Sequence, residues 1–442
     1  MKLNKAFAIL LAAAALLPLT SCLKDQTDVF EEPSSQRMQD YLKSVRDILT
    51  DSTNKYGWAL SYYPGSSSAT CYMGLQFASQ KVTAYGQSDP EKAVTSTYKL
   101  IADDGAVLSF DTYNTVLHYY STPSQDRYQA RGGDFEFVIT SISKDRIVLR
   151  GKRSGNYCYL DKLTGDVSAF LKDMNEAKKG FNIVSFTGEV TGGMVEGFLD
   201  SSSNTLSIGR KGAESNEYTK VRYMVTSFGE GEDKKAGIHI NEPITFQGVT
   251  FEDFIYEEDP TNPTIGTLTG SGIVFDKVVP EGYVSYNDFV GKWTIDWYTD
   301  HRTFDVELVP LEEGASFKMK GLSTYFEPVI GYNAARGQLT WGVQAVGTVN
   351  GTIVMLAGWD LAGGGSLSWN ETLGMIGYAQ DNTTPNLVVI WEDNGQSSYN
   401  VDSWILWGTD ESGNSQGSFE DWTFVNGYNQ LPYLNSMAKI IE

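Results

Sequence analysis

The chain reads as a mainly β protein of antiparallel barrel or sandwich domains, with two short amphipathic helices. Three observations carry that reading. Gly contributes 44 residues, Tyr 25 and Phe 21, while only 20% of the 442 residues are charged, a balance suited to sheet surfaces and tight turns. Apolar residues alternate with period two, as at Cys71, Met73, Leu75 and Phe77 with Tyr72, Gly74 and Gln76 between them. Strand-length segments recur between turn signals such as Asp103-Asp104-Gly105 and Arg131-Gly132-Gly133. The length leaves room for two or three domains at roughly 100–200 residues each.

At the amino terminus, Lys2 and Lys5 precede an apolar run from Ala6 to Leu17, too short to span a bilayer but suited to a signal-peptide core. Leu19-Thr20-Ser21-Cys22 follows at once and resembles the lipobox of bacterial lipoproteins. That resemblance implies a leader over 1–21, cleavage before Cys22 and lipidation of its thiol, with the acyl chains holding the protein to a membrane. Residues 22–34, with Asp25, Asp28, Glu31 and Glu32, are too polar to fold and read as a flexible acidic tether. An acidic tract just past the lipid cysteine is similar to the surface-export signal of Bacteroidota lipoproteins. The implied location is the outer membrane, facing the cell surface or otherwise the periplasm.

The formal net charge of −21 becomes about −23 once Lys2 and Lys5 leave with the leader. Such a field repels phosphate backbones, and no run of Lys and Arg supplies a basic stripe, so nucleic acid is excluded as a partner.

The folded body is expected to begin near residue 35. Met38, Tyr41, Leu42, Val45 and Leu49 share one helical face, with Ser34 or Ser35 available as N-cap. Val167, Phe170, Leu171 and Met174 repeat the spacing at an offset of 129, with Asp166 in the first turn and Gly180 placed to end the helix. Strands following each helix can also be matched: Trp58–Tyr63 with Ile183–Val190, Tyr98-Lys99-Leu100 with Tyr223-Met224-Val225, and Leu108-Ser109-Phe110 with Ile244-Thr245-Phe246. Residues 35–284 are therefore read as two helix-plus-sheet units, 35–163 and 164–284, related by duplication; chance likeness of amphipathic helices is the alternative.

A boundary falls near Pro280-Glu281-Gly282. Beyond it, Tyr286-Asn287-Asp288-Phe289 reads as a helical turn, and Gly291-Lys292-Trp293 opens a strand. This entry resembles that of a lipocalin-like barrel, which implies an antiparallel barrel over 285–442. The pattern also implies an Arg near the last strand to cover Trp293, yet the region has only Arg302 and Arg336.

The lipobox, the early helix before Tyr56-Gly57-Trp58, the segment Val107–Asn114 and Gly133-Asp134-Phe135-Glu136-Phe137 together resemble an uncharacterised Bacteroidota lipoprotein family. That family is typically encoded beside starch-utilisation-type importers. The resemblance brings no activity and no catalytic residues.

Chemistry-bearing motifs are sparse. His118, His239 and His301 lack paired spacing, so no metal site is read, and each is expected to end a strand or face solvent. No G-x-S-x-G elbow positions a nucleophile, no D-x-D-x-D-G loop binds calcium, and no cofactor is implied. The acidic clusters, such as Asp103-Asp104 and Glu312-Glu313, read as solvated turns. Cys71 and Cys158 are candidates for a disulfide, although the alternation suits Cys71 equally to a core thiol.

Nine of the ten tryptophans lie between Trp293 and Trp422. Trp293-Ile295-Trp297, Leu339-Trp341-Val343, Met355-Ala357-Trp359 and Leu387-Val389-Trp391 read as barrel lining. Trp369, Trp404, Trp407 and Trp422 lack aliphatic company and are the candidate ligand surface. The leading functional reading is a non-catalytic, lipid-anchored protein that binds a glycan or peptide nutrient or serves an outer-membrane importer. A hydrolase whose carboxylates or serines converge only in three dimensions, and a structural subunit of an outer-membrane complex, are the alternatives.

Overall fold

The computed structural model describes residues 32–65, 68–123, 130–382 and 387–441. The expected leader, Cys22 and most of the expected tether lie outside the described residues. Within them, three helices and thirty-one strands form an open sheet, two closed barrels and a side sheet.

The first unit opens with α1 (Ser34–Leu49), which buries Val45 and Leu49. Pro33, not Ser34 or Ser35, occupies the N-cap, and no side chain caps the helix. Nine strands follow: β1 (Trp58–Tyr62), β2 (Cys71–Phe77), β3 (Lys81–Gly86), β4 (Asp89–Thr97), β5 (Lys99–Ala102), β6 (Ala106–Ser109), β7 (Glu136–Ile142), β8 (Arg146–Gly151) and β9 (Tyr157–Lys162). They pair in the order β4-β3-β2-β1-β9-β8-β7-β6-β5, so the first strand pairs with the last and the sheet is open only between β4 and β5. Only Tyr98 separates those two edges. It is 4% exposed, and its hydroxyl donates to the Ala78 carbonyl at 3.1 Å.

The second unit begins with α2 (Val167–Gly180), capped by the Asp166 side chain, which accepts from the Ala169 amide at 2.9 Å. A closed eight-stranded barrel follows: β10 (Ser185–Val190), β11 (Gly193–Asp200), β12 (Thr205–Arg210), β13 (Thr219–Phe228), β14 (Lys235–Phe246), β15 (Val249–Asp259), β16 (Asn262–Gly270) and β17 (Ile273–Lys277). Phe186, Phe251, Phe254 and Phe275 fill its interior, with Phe251 and Phe254 stacked at 5.3 Å.

If β4 and β5 are taken as one strand bent at Tyr98, both units are eight-stranded meanders that close first strand on last. The Tyr98 and Tyr223 segments then fall on the fourth strand of each unit, and the Leu108 and Ile244 segments at the fifth.

Helix α2 packs against β2, β3 and β4 on one side and β13 and β14 on the other, joining the two units. This explains a departure from simple alternation: Tyr72 and Gly74, expected on the outer face of β2, are buried. Tyr72 meets Phe170 edge-on at 5.3 Å, and a Cβ on Gly74 would stand 2.0 Å from Val167. Polar contacts add to the joint. Arg222 donates to the carbonyls of Pro64 and Ser68 at 3.1 and 2.7 Å, and the Thr70 hydroxyl donates to Tyr223 O at 2.8 Å.

The C-terminal unit begins with the single turn α3 (Tyr286–Phe289). Its closed barrel comprises β18 (Gly291–Trp297), β19 (Arg302–Glu312), β20 (Ser316–Lys320), β21 (Val329–Asn333), β22 (Gln338–Gly342), β26 (Gly374–Asp381), β27 (Val388–Asp393) and β31 (Leu434–Lys439). The remaining strands form a six-stranded side sheet: β23 (Gln344–Val349), β24 (Thr352–Asp360), β25 (Ser366–Ser368), β28 (Ser403–Thr409), β29 (Ser415–Ser418) and β30 (Gln430–Leu431). Trp293, Ile295, Trp297, Leu339, Trp341, Leu387, Val389 and Trp391 are all buried in the barrel. Met355, Ala357 and Trp359 lie instead in the side sheet, a correction to their reading as barrel lining. The cation missing as Arg over Trp293 is supplied by Lys439 on β31, whose ammonium lies 5.8 Å from the ring centre.

Candidate functional site

The side sheet brings two of the four candidate indoles together. On β28, Trp407 pairs with Met355 of β24 and with Ser418 of β29; Trp369 follows β25, the short strand on the other edge of β24. Their rings lie nearly parallel, with centroids 6.3 Å apart and planes at 12°. Both are half-buried.

One turn orients both rings. Trp369 Nε1 donates to Gly413 O at 3.0 Å, and Trp407 Nε1 donates to Ser415 Oγ at 3.0 Å. That turn is itself tied by Asp410, whose carboxylate accepts from the Ser412 and Asn414 amides and from the Asn414 side chain at 2.8–2.9 Å. The Asn414 side-chain bond and then the backbone bonds hold the Asp410 carboxyl below its ordinary range. With both indole N–H groups committed to the protein, each ring is tied to the same turn, and the contact chemistry left to it is that of its apolar π surface.

Trp422 lies apart from that pair, in an aromatic patch that sequence reading missed. It stacks on Tyr325 at 5.9 Å and 14°, and on Phe326 at 6.1 Å and 21°. Gly347 beneath it admits the ring, since a Cβ there would come within 2.4 Å of the indole. Tyr325, at 50% exposure, carries the patch to solvent. No periodicity could have signalled it, because Tyr325 lies between strands and meets Trp422 across a bridge from Ser323 to Phe424.

Trp404 is a correction. It is fully buried and stacks on Trp341 at 5.3 Å, because residues 404 and 406 turn into the core shared by side sheet and barrel. It cannot form part of a surface.

The proposed Cys71–Cys158 bridge is also corrected, since both thiols are free. Cys71 on β2 pairs with Tyr62 of β1, and the β1–β9 register sets Cys158 next to Tyr62 on the other side. The two cysteines thus stand two strand spacings apart, about 10 Å, where a disulfide needs Cα atoms within about 7 Å. Burial pushes the Cys71 thiol up to about 11 and the Cys158 thiol up to about 12.

The histidines do not converge. His239 contacts Asp253 across strands at 2.7 Å, and His301 contacts Asp296 at 2.9 Å. His118 neither ends a strand nor faces solvent: it is 9% exposed, accepts from the Asn114 amide at 3.2 Å and stacks on Phe135 at 5.3 Å. Among the described residues no three His, Cys, Asp or Glu side chains are grouped to hold a metal.

The segments most distinctive in sequence prove to be fold hubs. Asn114 is fully buried: its amide donates to Val94 O and Ser96 Oγ, and its oxygen accepts from the Val116 and Leu117 amides at 3.0 and 3.2 Å. Asp134 Oδ1 accepts from the Arg153 and Ser154 amides at 2.6 and 3.1 Å, while Tyr62 Oη bonds the Asp134 backbone.

The architecture defines a class: a mainly β chain of antiparallel units, an open sheet followed by two closed barrels with packed interiors, the second carrying a side sheet. Residues 26–258, just over half the chain, match the model of a domain of unknown function, DUF4302, and the chain belongs to that family. Residues 268–407 match a second domain of unknown function, DUF4987, whose span takes in Trp369 and ends at Trp407. No curated protein and no solved structure matches the chain.

Proposed function

We propose that this protein is a lipid-anchored, non-catalytic glycan-binding protein of the bacterial outer membrane, displayed at the cell surface beside an importer. The Trp369–Trp407 pair carries the reading. A pyranose ring presents a face of C–H groups with partial positive charge, and the negative face of an indole attracts it. Two near-parallel rings locked by N–H bonds to one turn offer such a surface without a large ordering cost. Anchoring through Cys22 would keep the site at the membrane, since several acyl chains hold far more firmly than one.

Affinity electrophoresis of the purified chain through gels containing soluble polysaccharides tests the binding. At least one polysaccharide should retard it, and Trp369→Ala or Trp407→Ala should weaken that retardation by at least about tenfold, or about 1.4 kcal/mol. Unretarded migration on every polysaccharide, or retardation unchanged in the double variant, rejects the glycan site; capture of peptides alone would redirect it. Radiolabelled palmitate should enter the wild-type protein in cells and be absent from Cys22→Ala.

A further inference from the structure

A chemically mixed cavity lies away from the tryptophan pair. It is a space of about 570 Å³ where the first unit meets α2 of the second, lined by the β3–β4 turn, the start of β2, the loop 115–120 and the C-terminal half of α2. The volume falls in the range of small-molecule sites, roughly 300–1,000 Å³. Its walls are apolar in body: Met73 and Cys71 from β2, Val94 from β4, Val116 and Tyr120 from the loop.

Most of its polar lining is already committed. Gln87 Oε1 accepts from the Tyr72 amide at 2.8 Å, and the Asn175 side chain donates to Gln87 O at 2.8 Å, so these amides latch α2 to the β3–β4 turn. Lys92 and Lys178 are different. Both are exposed at the rim, and neither forms an ion pair among the described residues. Against them the lining holds one carboxylate, Asp89, which leaves the mouth net positive on a chain of net charge −21. Lys178 also borders two further depressions, of about 510 and 600 Å³. An apolar interior with cations at its mouth selects an amphipathic anion: the body removes apolar wall from water, and the head stays at the rim, where a lysine charge need not be desolvated.

We propose that this cavity binds a small carboxylic acid with an apolar body, seated against Met73, Val94, Val116 and Tyr120, with its carboxylate between Lys92 and Lys178. The site is built from the DUF4302 region, and is independent of the tryptophan pair in the C-terminal unit.

Isothermal titration of the full chain with octanoate, with octanol as the neutral control and inorganic phosphate as the charge-only control, tests the proposal. Octanoate should bind with a Kd of order 1 mM or below, and octanol and phosphate at least about tenfold more weakly. Lys92→Gln combined with Lys178→Gln changes two exposed side chains, and should lower octanoate affinity at least about tenfold. Val116→Phe, with its far-UV spectrum unchanged, should abolish binding by filling the cavity. No heat from octanoate, equal binding of octanol, or undiminished affinity in the double lysine variant each overturns the proposal, even if Val116→Phe fails to fold. Because polysaccharide retardation is read separately on Trp369 and Trp407 variants, the two sites fail or stand independently.

Discussion

Lys439 and Trp293 close the C-terminal barrel from opposite ends of the chain's path through it. The ammonium of Lys439, on the last strand, lies 5.8 Å from the centre of the Trp293 ring on the first, and it donates to the Asp288 carbonyl. Trp293 in turn donates through Nε1 to Phe289 O at 2.8 Å, so one cation ties α3, β18 and β31 together. Lys439→Ala should cost about 1–2 kcal/mol through the lost cation–π contact and hydrogen bond. Lys439→Arg should keep most of that stability, which urea unfolding followed by tryptophan fluorescence would measure.

The four candidate tryptophans should separate in their behaviour. Trp404→Ala removes a fully buried ring and should destabilise the chain by about 3–5 kcal/mol. Trp369→Ala and Trp407→Ala, at half-buried positions, should cost less than half of that while carrying the loss of polysaccharide binding. Thermal unfolding of the three variants in parallel decides this.

Asn114→Ala should be among the more damaging polar substitutions. It strands the Val94 carbonyl and the Val116 and Leu117 amides in a buried site, at about 1–3 kcal/mol for each group left unsatisfied. Hydrogen exchange should report the loss first in residues 111–122.

His118 should make the same segment sensitive to acid. Burial holds its imidazole below the ordinary value of 6.5, partly opposed by its backbone hydrogen bonds to Asn114 and Phe110. The unfolded chain therefore binds the proton more readily than the folded one. The associated stability is complete above pH 6.5 and is lost as pH falls through the lower folded value. Protection of residues 111–122 should decline across that window in the wild type, and the decline should flatten in His118→Gln.

Cys71 and Cys158 should stay reduced. The intact mass of the folded chain after air oxidation should show no loss of two hydrogens, and both thiols should react with Ellman's reagent after unfolding in guanidinium. A bridge between them would require β1 to leave its place in the sheet.

Local signals were legible wherever the physics is local. The period-two run at Cys71–Phe77 is β2, and the 3.6-period runs are α1 and α2, with Asp166 as the actual N-cap of α2. The same alternation misled at Tyr72 and Gly74, because α2 arrives from 90 residues or more away in sequence to cover the second face of β2. The lipocalin-like pattern looked broken for want of an Arg, whereas what the Trp293 ring requires is a cation above it, and Lys439 meets that requirement. Of the candidate site, Trp369 and Trp407 could be singled out from their lack of aliphatic neighbours, but their pairing could not, since the Asp410–Ser415 turn that orients both is remote from Trp369 in sequence.

By itself, then, the sequence determined which segments are strands and helices, where the chain turns, and which side chains share a face, because those follow from bond geometry and spacing within a few residues. Only the tertiary structure decided which faces are covered, that Trp404 is core while Trp407 is half exposed, that β1 holds the two cysteines apart, and that Lys92 and Lys178 stand at one cavity mouth. Burial and proximity depend on what packs from distant parts of the chain, and no local period encodes that.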